Sequence, residues 1–183
     1  MALKGLGGYH IICDASNSKT LVALRKHKQR PAKPFAVMFP DINMIEECTE
    51  ISSEEALLIK SIEKPIVIVS QKANSLISHF VAPDIDRLGV FLPYTPLHHL
   101  LLKEIKIPLV ATSAKLSDEP IIRNSSELLE KLSTVVDLIL DHDRTILNAN
   151  DDSVVQIAGS EKITLRMSRG YTPKSIKLPF KSE

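Results

Sequence analysis

The sequence predicts an α/β domain in which a mixed sheet is flanked by helices. Short runs of β-branched and apolar residues alternate along the chain with segments in which apolar residues recur at helical spacing. This alternation is typical of a mixed α/β domain. With 183 residues the chain can bury a substantial core, and a single domain accounts for its length.

Strands are predicted where β-branched and apolar residues cluster over a few positions. The last two predicted strands flank Gly159 and Ser160, so they are expected to form a hairpin. The predicted strands cover residues 10–13, 35–39, 66–69, 109–112, 135–140, 154–158 and 163–167.

Helices are predicted from apolar spacing and from capping residues. In residues 18–28 the apolar positions form one stripe behind a strongly basic face. Ser52 and Glu55 form a capping-box pattern that opens a helix to about residue 62, and Thr95 with Pro96 opens a helix to about residue 104. A shorter helix is predicted at residues 126–132. Residues 71–92 and 141–152 are predicted to be long connections, which are often functional in compact domains.

Composition and charge exclude several classes of protein. The content of 44% hydrophobic and 25% charged residues is that of a globular protein, and the formal net charge is only +1. A preference for phosphate or nucleic acid must therefore come from a local cluster. Cys13 and Cys48 form no Cys-x-x-Cys pair, so neither a zinc knuckle nor a disulfide framework is predicted. No signal-peptide pattern or membrane span of about 20 apolar residues is found, and a cytoplasmic location is expected.

Basic residues crowd the end of the first predicted helix and the segment after it. Such side chains could neutralise a triphosphate through charge-assisted hydrogen bonds, with arginine contacting two oxygens at once. A solvated helix face is the alternative interpretation, because short basic runs also occur by chance. The cluster consists of Arg25, Lys26, His27, Lys28, Arg30 and Lys33.

Two further segments carry candidate ligand contacts beside predicted strands. Gly7 and Gly8 precede the first predicted strand, where missing side chains would let backbone amides approach a ligand, although a plain glycine turn has the same pattern. No Gly-Lys-Ser/Thr ending is present, so a P-loop is excluded. Thr112, Ser113 and Lys115 follow an apolar strand, where the hydroxyls could bind phosphate or ribose, or Ser113 could cap the next turn.

No metal site is predicted. His98 and His99 are adjacent and point to different faces of a helix, and no third ligand stands at a recognisable spacing. Asp151 and Asp152 could help to hold a magnesium ion, but a solvated acidic turn explains them equally well.

Several strings occur in the order seen in the YrdC-like domain of HypF, a family of hydrogenase-maturation carbamoyltransferases. The strings are KGLGGYHIICDA, LRKHKQRPAKPFAVM, LGVFLPYTPLHHLLL, DEPI, HDR, DDSV and RGYTP. They cover nearly the whole chain, and LPYTPLHHLLL and KQRPAKPFAVM are highly specific. The chain therefore resembles that family, with residues 1–171 as a nucleotide-binding domain and residues 172–183 as a basic C-terminal tail.

The resemblance implies a YrdC-like fold, a twisted mixed sheet with a basic concave face that binds ATP. In such enzymes carbamoyl phosphate is hydrolysed elsewhere in the protein, and this domain joins the released carbamate to AMP with loss of pyrophosphate. The carbamoyl group then passes to the C-terminal cysteine of the partner HypE and becomes the cyanide ligand of nickel-iron hydrogenases. Magnesium is expected as a counterion of ATP.

The resemblance also implies further domains. Full-length members of that family carry an acylphosphatase-like domain and zinc fingers before this region and a carbamoyltransferase domain after it. None of these is in the sequence, so the chain is expected to correspond to one domain of a longer protein. One hypothesis is that the isolated domain folds but is inactive without its neighbours.

Site residues follow from motifs shared with the related threonylcarbamoyl-AMP synthases. Lys28 and Arg30 match a Lys-x-Arg pattern and Ser113 matches the serine of a later Ser-x-Asn pattern, so these three are predicted to be catalytic. The second pattern is broken, since Lys115 stands where asparagine is expected and Ala114 where HypF proteins usually have glycine. The predicted nucleotide-binding residues are Lys4, Gly7, Gly8, Arg25, Thr112, Lys115, Arg144 and Arg169.

Two other functions stay open. The strings STVVD at residues 133–137 and TSA at residues 112–114 resemble threonylcarbamoyl-AMP synthases that serve tRNA modification, but KGLGGYH replaces their Pro-Thr-Glu-Thr opening. A module that binds a nucleotide or double-stranded RNA without turnover is favoured by Lys115 and by the RNA binding suggested for YrdC-type domains. Near Ala149 the HypF family generally has arginine, so this departure is expected to remove one phosphate or carbamoyl contact.

Overall fold

A computed structural model describes residues 1–115, 119–173 and 175 of the chain. In these ranges the backbone forms ten strands, five α-helices and a short 3-10 helix at His79–Val81. The helices are α1 (Ser18–His27), α2 (Ile42–Cys48), α3 (Ser53–Lys60), α4 (Pro96–Ile105) and α5 (Ser125–Leu132). The strands are β1 (Ala2–Lys4), β2 (Tyr9–Asp14), β3 (Ala36–Met38), β4 (Thr49–Glu50), β5 (Ile66–Gln71), β6 (Arg87–Phe91), β7 (Leu109–Ser113), β8 (Ile139–Leu140), β9 (Val154–Ala158) and β10 (Glu161–Arg166).

The strands of the described ranges join one mixed sheet. Its order is β10-β9-β5-β6-β3-β7-β2-β1-β8, and β4 pairs with β5 beside this path. The pairs β1 with β8, β3 with β6 and β5 with β9 are parallel. The remaining pairs are antiparallel. The predicted α/β fold with a mixed sheet and flanking helices is therefore confirmed.

Alternation of side chains along β2 separates two layers of core. Ile11 belongs to the larger layer, which packs against α1, α2, α3 and α5, whereas Ile12 belongs to a smaller layer that packs against α4. His10 and Ser113 are paired across β2 and β7. By the same alternation both lie on the α4 side of the sheet. Thr112 lies on the opposite side, so the polar side chains at the end of β7 are found on both sides of the sheet.

Capping side chains fix the starts of the helices. The capping box predicted at Ser52 and Glu55 is formed, with both reciprocal hydrogen bonds present. Thr95 Oγ1 accepts a hydrogen bond from the His98 amide at 3.1 Å, and Pro96 occupies the first turn of α4. In the described part of the chain no helix is long and apolar enough to cross a membrane.

Five elements were not predicted, namely the strands β1, β4 and β6, the helix α2 and the 3-10 helix at His79–Val81. Strand β6 lies inside the predicted connection 71–92 and contains Gly89 at its centre. A side chain at Gly89 would come within 3.0 Å of Ile66 on the neighbouring strand, so close strand packing favours glycine there. Helix α2 has only seven residues and ends in the two-residue strand β4. Such short elements show too few periods for a sequence pattern to appear.

The predicted strand 135–140 is shorter in the structure, and the predicted tail 172–183 is only partly described. Of the predicted strand 135–140, only Ile139–Leu140 is extended, because the amides of Val135 and Val136 bond back to the Leu132 carbonyl and continue the turn that ends α5. The predicted strand was therefore too long at its start. Of the predicted tail 172–183, residues 174 and 176–183 lie outside the described residues.

The loop between β1 and β2 requires glycine where it meets two neighbouring segments. A side chain on Gly7 would overlap Asn150, and one on Gly8 would overlap the side chain of Ile121. The Gly7 carbonyl also accepts a hydrogen bond from the Asn150 amide at 3.1 Å. The two glycines that were predicted to bind nucleotide therefore also have a packing role.

We expect Gly8→Ala to lower the free energy of unfolding by about 1 to 3 kcal/mol, the usual cost of forcing an extra carbon into a packed region. Chemical denaturation measures this change. Because Ile121→Ala removes the carbons that the new methyl group would meet, the double variant should lose less stability than the sum of the two single variants. Additive losses would contradict the contact between these positions.

Candidate functional site

The loop after α1 and the end of β7 bring five of the predicted site residues together. Lys28 Nζ donates hydrogen bonds to the carbonyls of Ser113 at 2.8 Å and Lys115 at 3.2 Å. Arg30 Nη1 lies 3.4 Å from Thr112 Oγ1. The Lys-x-Arg pattern and the strand end that were predicted separately therefore form one cluster, which we call the cationic cluster.

Arg25 holds the loop that carries this cluster. Its side chain is buried beneath the loop, with its guanidinium over the ring of Phe35 at 4.5 Å. Direct nucleotide contact was predicted for Arg25. In the structure its guanidinium donates to backbone carbonyls, so Arg25 holds the loop of the site in place. The carbonyls that accept from Arg25 are those of Arg30, Pro31, Lys33, Phe80 and Val81, at 2.7 to 3.2 Å.

Asp151 is the carboxylate of the cationic cluster. Ser113 Oγ donates a hydrogen bond to Asp151 Oδ1 at 2.6 Å, and Lys115 Nζ lies 3.6 Å from Oδ2. Burial alone would raise the pKa of this carboxyl group, but the Ser113 hydrogen bond and the charges of Lys115 and Arg166 outweigh burial and lower it. Asp151 is therefore ionised at neutral pH, and it fixes the rotamer of Ser113.

The cations of this cluster repel one another. Burial, followed by the charges of Arg30 and Lys115, lowers the pKa of Lys28 to about 8, although the charge of Asp151 acts in the opposite direction. Burial also lowers the pKa of Arg30 to about 10, with contributions from Arg25 and Arg166. Positive charges that are held close together and partly shielded from water favour an anionic ligand.

Arg166 is a member of the cluster that the sequence did not predict. It stands at the end of β10, where the pairing with β9 shifts register, and its Nε donates to the Asp152 carbonyl at 2.7 Å. Its charge influences both Arg30 and Asp151. No sequence signal identifies it, because the bulge in β10 sets the direction in which its side chain points.

Asp152 forms a second, separate ion pair beneath the site. Arg169 Nε donates to Asp152 Oδ1 at 2.7 Å, and the same guanidinium donates to the carbonyls of Glu63 and Lys64. It also lies over the ring of Tyr94 at 3.5 Å. Arg169 was predicted to bind nucleotide. In the structure its donors bond to Asp152 and to the turn before β5, and they thereby join this turn to the segment after β10.

Lys4 and Arg144 line a cleft whose lining includes no residue of the cationic cluster. Lys4 is buried and forms an ion pair with Asp141 at 3.0 Å, and its Nζ also donates to the His142 carbonyl at 2.7 Å. Arg144 is exposed and lines a cleft of about 230 Å³ together with Lys4. The structure therefore places neither residue in contact with Lys28 or Arg30.

The chain matches one protein family over most of its length. The Sua5/YciO/YrdC family model, described as telomere recombination, covers residues 1–168. The chain belongs to this family. The resemblance to the YrdC-like domain that the sequence motifs suggested is thereby confirmed.

Among proteins of this family, the chain is similar to HypF carbamoyltransferases. It is 44% identical to HypF of Synechocystis sp. over 179 residues, which cover 98% of this chain and 23% of the relative. HypF of Rhodobacter capsulatus is 41% identical over 180 residues, with coverage of 98% and 24%. The chain thus spans about a quarter of the length of these relatives.

Solved structures of the family share this fold. A full-length HypF in a phosphate- and nucleotide-bound form superposes with a TM-score of 0.91 and 40% identity, over 94% of this chain and 27% of that one. HypF of T. kodakarensis gives a TM-score of 0.93 at 36% identity, over 98% of this chain and 24% of that one. Sua5 of P. abyssi, complexed with L-threonine, gives a TM-score of 0.80 at 18% identity, over 91% and 49%, which shows the shared fold.

We expect Arg169→Ala to lower the free energy of unfolding by about 3 to 5 kcal/mol, because it removes the guanidinium that pairs with the buried Asp152 and leaves only the His10 imidazole at 3.6 Å. Thermal or chemical denaturation measures the loss. Arg144→Ala is the matched control, since it removes an exposed arginine and should change stability by less than about 0.5 kcal/mol. Equal stability of the two variants would contradict the role assigned to Arg169.

Proposed function

We propose that this chain is an ATP-dependent enzyme domain that forms carbamoyl adenylate from carbamate and releases pyrophosphate. The carbamate would derive from carbamoyl phosphate, and the carbamoyl group would pass to the C-terminal cysteine of HypE during nickel-iron hydrogenase maturation. The observation that carries the proposal is the cationic cluster at the end of β7. The similarity to proteins named carbamoyltransferase HypF supports the choice of reaction.

The cluster suits a triphosphate on electrostatic grounds. The charges of Lys28, Lys115 and Arg166 all interact with the carboxylate of Asp151, and the charge of Arg30 interacts with those of Lys28 and Arg166. A ligand with several negative oxygens would relieve the repulsion that lowers the pKa of Lys28 and Arg30. The nucleotide-bound form of the similar HypF protein supports a nucleotide as this ligand.

The proposed chemistry is an in-line attack on the α-phosphorus of ATP. An oxygen of carbamate forms a bond to the α-phosphorus while the bond to the bridging oxygen breaks, and the electron pair leaves with pyrophosphate. Carbamate is already an anion, so this step needs no general base. Lys28 and Arg30 would neutralise the triphosphate and the leaving pyrophosphate, and Ser113 would line the nucleotide pocket in the rotamer that Asp151 fixes.

Magnesium enters this proposal as part of the substrate. In the described ranges no group of three or more His, Cys, Asp or Glu side chains could hold a metal ion. Asp151, the carboxylate nearest to the proposed phosphates, is already used by Ser113 and Lys115. The magnesium ion would therefore reach the site on the phosphate oxygens of ATP.

A binding module without turnover is the second candidate function. Lys115 places an additional ammonium group in the cluster, which suits phosphates of a nucleotide or of double-stranded RNA whether or not a reaction follows. Pyrophosphate release that requires both ATP and carbamate would support the enzyme. ATP or RNA binding with a steep salt dependence and no pyrophosphate release would support the binding module instead.

We expect Lys28→Ala and Arg30→Ala each to weaken MgATP binding by about 1.5 to 3 kcal/mol, the contribution of a hydrogen bond to a charged group. Isothermal titration calorimetry measures the affinity, and denaturation shows whether the variant is folded. Lys26→Ala is the matched control, because Lys26 is exposed in the last turn of α1, just before the loop that carries Lys28 and Arg30, and among the described residues its side chain has no partner. Unchanged affinity in both cluster variants would contradict the assignment.

We expect MgATP affinity to fall as the pH rises through about 8. The Lys28 amine has a pKa of about 8, so it is charged below this pH and loses its charge above it. Phosphate binding favours the charged amine, and ATP binding near pH 8 should therefore take up a fraction of a proton. Calorimetry in buffers of different ionisation enthalpy measures the uptake. In Lys28→Arg, which keeps its charge, both effects should disappear, and their persistence would contradict the role of Lys28.

A further inference from the structure

The middle residue of the Lys-x-Arg segment has an unusual backbone conformation. Gln29, which stands between Lys28 and Arg30, has a φ of 47° and lies in the left-handed region. Its side chain is exposed and makes no hydrogen bond in the described part of the chain. The left-handed region is unfavourable for residues other than glycine and asparagine, because Cβ comes too close to the following carbonyl oxygen. A glutamine in this conformation therefore calls for a structural explanation.

The hydrogen bonds around Gln29 form a Schellman motif that ends α1. The Gln29 amide donates to the Lys26 carbonyl at 3.2 Å, and the Arg30 amide donates to the Arg25 carbonyl at 3.0 Å. These are the two hydrogen bonds of that motif, in which the residue after the C-cap is left-handed and usually glycine. Lys28 is the C-cap of α1. The Lys-x-Arg segment therefore coincides with the last three positions of the motif.

Contacts on both sides hold the turn at Gln29 in place. Pro31 disfavours a helical conformation of Arg30, so α1 cannot continue through this segment. The Arg25 guanidinium donates to the Arg30 carbonyl at 2.8 Å, so Arg25 bonds to both backbone groups of Arg30. The guanidinium groups of Arg25 and Arg30 lie over one ring, that of Phe35, at 4.5 and 4.9 Å. These contacts favour the left-handed conformation of Gln29.

The turn determines where the two cations point. In a continued α-helix, residues two positions apart are rotated by about 200° and lie on opposite sides of the helix. In the structure, Lys28 Nζ donates to the Ser113 carbonyl at 2.8 Å, and Arg30 Nη1 lies 3.4 Å from Thr112 Oγ1. Both cations thus reach the end of β7. The reversal of the chain at Gln29 makes this arrangement possible.

We propose that Gln29 is a positioning residue of the candidate site, whose left-handed backbone directs Lys28 and Arg30 to the end of β7. Its side chain has no part in this role. Glycine and asparagine, which adopt the left-handed region readily, should replace Gln29, whereas a β-branched residue should not. The link to phosphate binding rests on the proposed function, but the placement of Lys28 does not depend on a ligand.

Carbon-13 NMR of protein labelled at the lysine Cε atoms tests the placement without a ligand. The titration gives the pKa of Lys28, and the spectrum of Lys28→Arg assigns the resonance. Burial and the neighbouring charges lower this pKa to about 8, and the conservative variants Gln29→Gly and Gln29→Asn should retain the low value. In Gln29→Val the Lys28 amine should leave the end of β7, and its pKa should rise above about 9, towards the ordinary value of about 10.4.

Lys106→Val is the matched control for the backbone cost of valine. Lys106 has a φ of 53° at the end of α4, a helix end that carries no residue of the cationic cluster. Both valine variants should lower the midpoint of thermal unfolding by about 2 to 4 °C, because each forces a β-branched residue into the left-handed region. Only Gln29→Val should change the titration of Lys28. A merely structural role of Gln29 would leave this titration unchanged.

MgATP affinity at pH 7 connects the turn to the proposed function. We expect Gln29→Val to weaken binding by at least about tenfold, because two charged contacts are misplaced, and Gln29→Gly to stay within about twofold of the unmodified chain.

Two outcomes would overturn the inference. One is a Lys28 pKa in Gln29→Val equal to that of the unmodified chain. The other is a change in Gln29→Gly and Gln29→Asn as large as in Gln29→Val, which would assign the role to the side chain of Gln29. If the Lys28 titrations follow the expected pattern and the unmodified chain does not bind MgATP, the proposed function alone is contradicted.

Discussion

Two adjacent carboxylates, Asp151 and Asp152, organise the side of the sheet on which the candidate site lies. Neighbouring residues in an extended segment point in opposite directions. Asp151 therefore reaches Ser113 and Lys115 at the end of β7, while Asp152 is held by Arg169 from the end of the chain. The long connection before β9 is thus fixed to both sides of the site by two charged contacts. The start of the same connection is held by Lys4, which pairs with Asp141 and donates to the His142 carbonyl.

The cationic cluster is assembled at an electrostatic cost that the rest of the fold offsets. Burial and neighbouring positive charges lower the pKa of Lys28 and of Arg30. The charged forms of both groups therefore destabilise the folded state. Arg25 compensates by donating to carbonyls on the loop and on the neighbouring 3-10 helix, and its stem packs in the core beside Phe35. Because the charges of the cluster do not favour the folded state, they are consistent with the negatively charged ligand that we propose for this site.

The sequence allowed the fold class and the cluster to be predicted, because both depend on local patterns. Helix α4 follows from Thr95 and Pro96, and the pairing of the Lys-x-Arg segment with Ser113 follows from the family motifs. The roles of the arginines could not be predicted in the same way. Arg169 and Arg166 are three residues apart, yet one is held in a buried ion pair and the other reaches the cluster. That difference depends on the bulge in β10 and on the position of Asp152, which are tertiary features.

Lys115 departs from the family motif, but its positive charge joins those of the cationic cluster. An asparagine would offer an amide to the phosphates and leave the charge of Lys28 unaffected. The lysine instead repels Lys28 and lowers its pKa, while its own charge is partly balanced by Asp151 at 3.6 Å. Burial and the charge of Arg30 contribute more than Lys115 does, and together these causes bring the pKa of Lys28 to about 8. For the phosphate binding that we propose, Lys115 would thus add to the pH dependence through its effect on Lys28, without having to contact the ligand.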